Sequence, residues 1–453
     1  MRVIALSGIV WTLMADALWA HASEQGFVLL LPTDVYIFAG GATVTLTVLL
    51  LAILPGGLAA ALFRPLRLGR ARPRLRHGAS LLTALLLVWL IWRGLAGPRD
   101  PAVNPLPLAV WVVFWVGVVS VQGLLGDLWR WLNPWVGVGA LLYRLTGQRA
   151  LLRYPRGLGH WPGVLGFLAF AGFLMADPAP TDPARLALVV GLYGAAMLAG
   201  LVLFGPAWLV RAEALTVLMR AYARMGLIGR ARGGLALGVP GWQVLASPKA
   251  RLGFAVFILV MLGSGSFDGL NETFWWLGVL GLNPLEFPGR SAVVSQNLLG
   301  LLAANAVLMM AFATCLWLGE RLAGGRARLP GLFCLYAPTI LPIALAYHIA
   351  HYLTSFLVDG QYVLAALSDA LGLGHIHVTT GFLNTPGPVR LIWFTQAGVV
   401  VAGHVIAILL AHTFAMGRGQ GTRHAVLGQA PLALFMVAYT VFGLWLLASP
   451  RAA

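Results

Sequence analysis

Two histidines three residues apart, His348 and His351, sit inside a long apolar run, where ionisable side chains are rare and usually functional. On a helix that spacing puts both rings on one face, a workable pair of metal ligands. Asp268 and Glu272, four apart at the end of another apolar run, offer oxygen ligands or a general base, and Ser264 and Ser266 stand beside Asp268. Serine, carboxylate and imidazole around a zinc ion can hydrolyse an ester, because zinc lowers the pKa of a bound water. His21 becomes the first mature residue if a leader is removed after Ala20. Its amine and imidazole would then chelate one metal ion together, a pairing suited to copper. Glu24 follows His21, and Asp359, Asp369, His375 and His377 follow His351 in what reads as a loop. The plainer alternative is a polar vestibule of solvated histidines and capping carboxylates.

The elements that must position these groups are membrane spans. Of 453 residues 60% are hydrophobic and only 10% charged, beyond what a soluble domain needs. Most of the 30 lysines and arginines fall in alternate loops between apolar stretches, and most of the acids fall in the other set. Basic loops stay on the cytoplasmic side, so the chain orients with most of its acids outside, together with His348, His351, His375 and His377. The net charge of +16 is therefore topology rather than a nucleic-acid surface: the basic loops are short and lack interleaved aromatics. Cys315 and Cys334 lie inside apolar runs without metal-ligand spacing, and neither a disulfide nor a cysteine metal site is expected.

Arg2, the apolar run Val3 to Leu18 and the closing Ala-Leu-Trp-Ala read as a signal peptide or uncleaved anchor over residues 1–20. The rest, 21–453, reads as one all-α domain, a polytopic integral membrane helix bundle of about ten spans with both termini periplasmic in a bacterial inner membrane. Span eight, Leu329 to Leu357, runs outward and carries His348 and His351 roughly 30 Å above its inner end. Span nine, Arg390 to Phe414, runs inward and leaves His404 deeper, without a histidine at its own depth to share a haem. Phe274 to Leu282 is too short to cross and fits a re-entrant hairpin. Leu209 to Arg251 is the longest inner segment. There Arg211, Arg220 and Arg224 alternate with Leu215, Val217 and Leu218, as in an amphipathic helix on the inner surface.

Several strings then stand out: His-Ala-Ser-Glu-Gln-Gly-Phe-Val-Leu-Leu-Leu-Pro-Thr (21–33), Ser-Phe-Asp-Gly-Leu-Asn-Glu-Thr-Phe-Trp-Trp (266–276) and Asn-Pro-Leu-Glu-Phe-Pro-Gly-Arg-Ser-Ala-Val (283–293). With Ala-His-Tyr-Leu-Thr-Ser-Phe-Leu-Val-Asp-Gly-Gln-Tyr (350–362) and Pro-Leu-Ala-Leu-Phe-Met-Val-Ala-Tyr-Thr (431–440), they resemble bacterial membrane proteins known as fenitrothion hydrolases. The resemblance spans nearly the whole chain and implies a membrane-bound organophosphorus hydrolase that cleaves an aryl phosphorothioate ester. It carries over no catalytic residue.

Three functions fit this reading. The first is a phosphotriester hydrolase assisted by zinc or copper at the periplasmic face, with His348, His351 and His21 as ligands and Asp268 or Glu272 as ligand or base. The second is a copper acquisition or transport protein using the same residues, and the third a haem-binding electron-transfer protein. The partners are the lipid bilayer and a small hydrophobic ester or metal ion.

Overall fold

The structure, a computed structural model, describes residues 31–53, 56–69, 76–148, 150–231 and 233–451. The expected leader and His21 lie outside these. Among the described residues nine helices are long and apolar enough to cross a membrane. In chain order the bundle contains α1 (Thr33–Ile53), α2 (Arg76–Ala96), α3 (Pro105–Leu125), the shorter α4 (Trp161–Ala176) and α5 (Pro183–Phe204). A buried non-spanning helix, α6 (Ala214–Tyr222), precedes α7 (Leu252–Leu270), α8 (Val294–Leu322), α9 (Leu341–Leu371), α10 (Pro386–Gly417) and α11 (Thr422–Ala448). The fold is an all-α polytopic bundle, and the spans follow the apolar runs of the sequence.

Local chemistry sets the ends. Asn104 accepts from the Leu106 amide and Asp182 from the Arg185 amide, each just ahead of a proline in the first helical turn. The apolar run from Leu329 is not one helix: Leu329–Tyr336 gives way to a 3-10 turn at Ala337–Ile340 before α9 begins. Pro338 and Pro342 remove the amides a continuous α-helix would need there, and Thr339 Oγ1 donates to the Tyr336 carbonyl (2.7 Å). At its far end α9 continues beyond the expected Leu357 to Leu371 and stops at left-handed Gly372, so Asp359 and Asp369 are helical rather than in a loop. Within α3, Leu108–Val118 is a π-helix.

Burial sorts the helices. Most of α7 is enclosed, whereas α1 and α2 turn large apolar side chains outward, Phe38 and Leu85 among them. α7 packs on α4, α8 and α9; α9 packs on α3 and α10; α11 packs on α1, α8 and α10. Lipid tails are as apolar as leucine, so close approach through small residues holds such helices together. Gly403 of α10 shows it: a Cβ there would stand 2.8 Å from the Pro342 carbonyl at the start of α9.

α6 is enclosed by protein over seven of its nine residues and starts on Glu213, whose carboxylate accepts the Leu215 (3.0 Å) and Thr216 (2.6 Å) amides. Gln122 of α3 donates to the Met219 carbonyl and accepts from the Leu128 and Trp129 amides, tying α6 into the bundle. A small antiparallel sheet also lies among the arginine-rich connections. Its strands are β1 (Leu66–Gly69), β2 (Ile228–Ala231) and β3 (Gly234–Leu237), in the order β1-β3-β2, with Leu66 and Ile228 both opposite Leu237.

At that end His160 precedes α4 with its ring 5.2 Å from the Phe254 ring. Burial, then the charges of Arg220, Arg211, Arg224 and Arg251, hold its pKa down at about 4 rather than 6.5. Between these values the unfolded chain binds a proton that the folded chain refuses, so stability rises with pH across this window. Unfolding temperatures measured from pH 4 to pH 7 should therefore climb less steeply in His160→Phe than in the native chain. Parallel curves would show that His160 is not responsible.

Candidate functional site

The chemistry expected from the sequence converges where α7 meets α9. On α9, Tyr347, His348, His351 and Tyr352 fall at helical spacings of one face. On α7, Asp268 lies one turn beyond Ser264. His351 Nε2 stands 3.1 Å from Asp268 Oδ2, and the Tyr352 hydroxyl donates to the same oxygen at 2.5 Å. The paired side chains are only 8% and 16% exposed, so each has given up water for the other. The Tyr347 ring stacks on the His351 imidazole at 5.6 Å and fixes its plane.

His348 lines the same space but makes a different contact set. Its ring meets Trp115 edge-on at 5.1 Å, Tyr352 at 5.0 Å and, from α6, Tyr222 at 6.2 Å. Trp115 comes from the π-helical stretch of α3. Asp268, His348, His351, Tyr347 and Tyr352 surround a cavity of about 30 Å³, room for a water or two. Among the described residues, His348 Nε2 and the Tyr347 hydroxyl are buried on its lining without a hydrogen-bond partner. Buried polar atoms are normally satisfied, so the cavity suits a small polar guest.

One contributor was not singled out in the sequence. After α11 the tail returns across the site: the Phe274 amide donates to the Pro450 carbonyl (3.0 Å), and Thr273 and Arg451 form a β-bridge. This sets Arg451 Nη2 3.5 Å from His351 Nδ1, opposite the carboxylate. The available signal was an arginine beyond the last span, on the side where basic residues are scarce.

The other expected groups go elsewhere. α7 ends at Leu270, so Glu272 leaves the Asp268 face and pairs with Arg290 at 2.6 Å. Arg290 also donates to the Leu174 carbonyl. Ser266 shares a 2.5 Å hydrogen bond with Tyr439, and Ser264 accepts from Asn305 at 3.2 Å. His375 lies 3.5 Å from Asp369 in an exposed pair. His404 is buried with Nδ1 donating to the Val400 carbonyl, a structural bond within α10. Among the described residues no three His, Cys, Asp or Glu side chains converge to hold a metal ion. Asp268 and His351 make a pair, and His348 adds a third nitrogen only to the same cavity wall.

The fold and this buried cluster define a polytopic helical membrane protein with an acid–base pair set into its interior. No family model, curated protein or solved structure matched the chain in comparison.

Proposed function

We propose that the protein is a membrane-bound hydrolase of organophosphorus esters and that His351, oriented by Asp268, is its general base. The observation that carries this reading is the buried 3.1 Å contact between His351 Nε2 and Asp268. With Nε2–H donated to the carboxylate, Nδ1 holds the lone pair on the side of Arg451. A water that displaces the Arg451 contact loses a proton to Nδ1 as its oxygen attacks phosphorus. The phosphorus–aryloxy bond breaks, and the aryloxide leaves with the electron pair and takes the proton from the imidazolium. Arg451 faces the charge that develops on the phosphoryl oxygen or thiophosphoryl sulfur. The resemblance to fenitrothion hydrolases supports the ester class. Among the described residues two ligands converge, and the steps above are written for these side chains alone.

General-base catalysis contributes about 10²–10⁴-fold. His351→Ala and Asp268→Asn should lose about that much nitrophenol release from a nitrophenyl phosphorothioate, measured on purified protein in nanodiscs. Glu272→Gln, engaged with Arg290, should keep native turnover. Absence of turnover above buffer in the native protein rejects the hydrolase reading.

The water-sized cavity favours a second reading, passage of protons or a small cation through the bundle by way of the same pair. Copper uptake into proteoliposomes that is lost in Asp268→Asn, with no esterase activity, would select it.

A further inference from the structure

A much larger cavity, about 690 Å³, opens at the arginine-rich end of the bundle, on the side of α2 and α5 away from the Asp268 site. That volume lies in the range of small-ligand pockets. Three separate elements bring a guanidinium to its lining: Arg76 from the start of α2, Arg130 from the short helix Trp129–Leu132, and Arg220 from α6. Among the described residues Asp127 is the one carboxylate on that lining. It is used locally, accepting from the Arg130 amide (3.3 Å) and from Gln122 (3.4 Å). Among the described residues Arg76, Arg130 and Arg220 join no ion pair.

The arrangement is built rather than incidental. Trp129 Nε1 (2.9 Å) and Asn133 Nδ2 (2.7 Å) both donate to Thr216 Oγ1, which locks α6 to the Trp129 helix along the cavity. Arg220 Nη1 donates to the Val210 carbonyl at 3.0 Å, holding that side chain at the wall. Burial, then the charge of Arg230, lowers the Arg130 pKa, with Arg76 acting in the same direction and Asp127 against it. Convergent like charges destabilise one another unless an anion sits among them.

The remaining walls are mostly apolar, with Trp135, Leu142, Leu201 and Leu209 among them, and add His77, Asn133 and Gln148 as polar groups. Leu151 lines the cavity and is itself 60% exposed, and Leu145 of the adjoining helix is 75% exposed. The mouth thus opens through surface that suits lipid. A soluble anion needs the guanidiniums and gains nothing from such walls. An amphiphile uses both: its phosphate among the arginines, its chain along the leucines.

We propose that this cavity binds the phosphate group of an anionic membrane phospholipid, with an acyl chain laid along Leu142, Leu151 and Leu201. The arginine-rich end faces the cytoplasmic leaflet by the charge rule, and that leaflet is the anionic one in membranes of asymmetric charge. The site is independent of the Asp268 centre and stands whether or not the protein hydrolyses esters.

The test is native mass spectrometry of the purified full chain titrated with phosphatidylglycerol or phosphatidylcholine, with inorganic phosphate as competitor. The native protein should bind one phosphatidylglycerol at least tenfold more tightly than phosphatidylcholine. Arg130→Gln with Arg220→Gln should remove that preference, while Arg130→Lys retains most of it. Ala140→Phe fills the apolar side without touching charge and should weaken phosphatidylglycerol binding as well, and unchanged melting temperatures establish that the variants are folded. Equal binding of the two lipids, or a preference that survives the double substitution, overturns the proposal. Displacement of phosphatidylglycerol by inorganic phosphate, with Ala140→Phe without effect, also overturns it and makes the site one for soluble phosphate.

Discussion

An Asp268→Ala chain should unfold in detergent with a stability loss of about 3–5 kcal/mol, the usual result of removing one partner from a buried charged pair. Two donors depend on that carboxylate, His351 Nε2 and the Tyr352 hydroxyl, both on the same oxygen. Alanine leaves them buried without an acceptor, and an unsatisfied buried donor loses its hydration without compensation. Replacing Asp268 and His351 together with leucine should recover part of the loss, because an apolar pair of similar volume needs no partners, while the Tyr352 hydroxyl still lacks its acceptor. Thermal unfolding followed by tryptophan fluorescence distinguishes the cases. A double variant no more stable than Asp268→Ala would mean that the pair is not the source of the effect. Turnover should be lost in both variants, which separates the pair's role in chemistry from its role in holding α7 to α9.

Gly319→Ala should be nearly as damaging, by about 3 kcal/mol, through packing alone. A Cβ at Gly319 of α8 would lie well inside contact distance of the Gly428 carbonyl of α11. The obstacle is backbone, so no rotamer change can relieve it, and the two helices must separate. Gly360 of α9 is the control, since a Cβ there meets no heavy atom within 4 Å. Gly360→Ala should be neutral or slightly stabilising, because alanine is the better helix former. Equal melting temperatures for the two variants would remove the α8–α11 contact from the account of stability.

The spans were legible because a run such as Pro183–Phe204 must be apolar all round to meet lipid, whatever its neighbours. Features depending on two distant segments were not. Leu66–Gly69 and Gly234–Leu237 are four residues each, too short for an alternation to stand out from basic loops. The break at Ala337–Ile340 had its signal in Pro338 and Pro342, masked by the apolar character of the surrounding run. At the candidate site the residue types were visible but the pairing was not. His348 and His351 share a helix face, yet only His351 reaches the carboxylate, because that contact depends on how α7 crosses α9. Glu272 looked equivalent to Asp268 by spacing, and the end of α7 at Leu270 separated them. Arg451 could not be placed without the bridge that brings the tail back to Thr273.

The small sheet also bears on how the chain is made. β1 leaves the ribosome between α1 and α2, while β3, its neighbour in the sheet among the described residues, is not synthesised until after α6. By the end of that interval α1 to α6 have all been made, with a bare strand edge among the arginine-rich connections. An unpaired edge invites pairing with any other extended chain nearby. A nascent chain stalled before Gly234 would keep that edge open. Pairing of β3 with β1 then ties the connection after α1 to the connection that leads into α7, across more than 160 residues of chain.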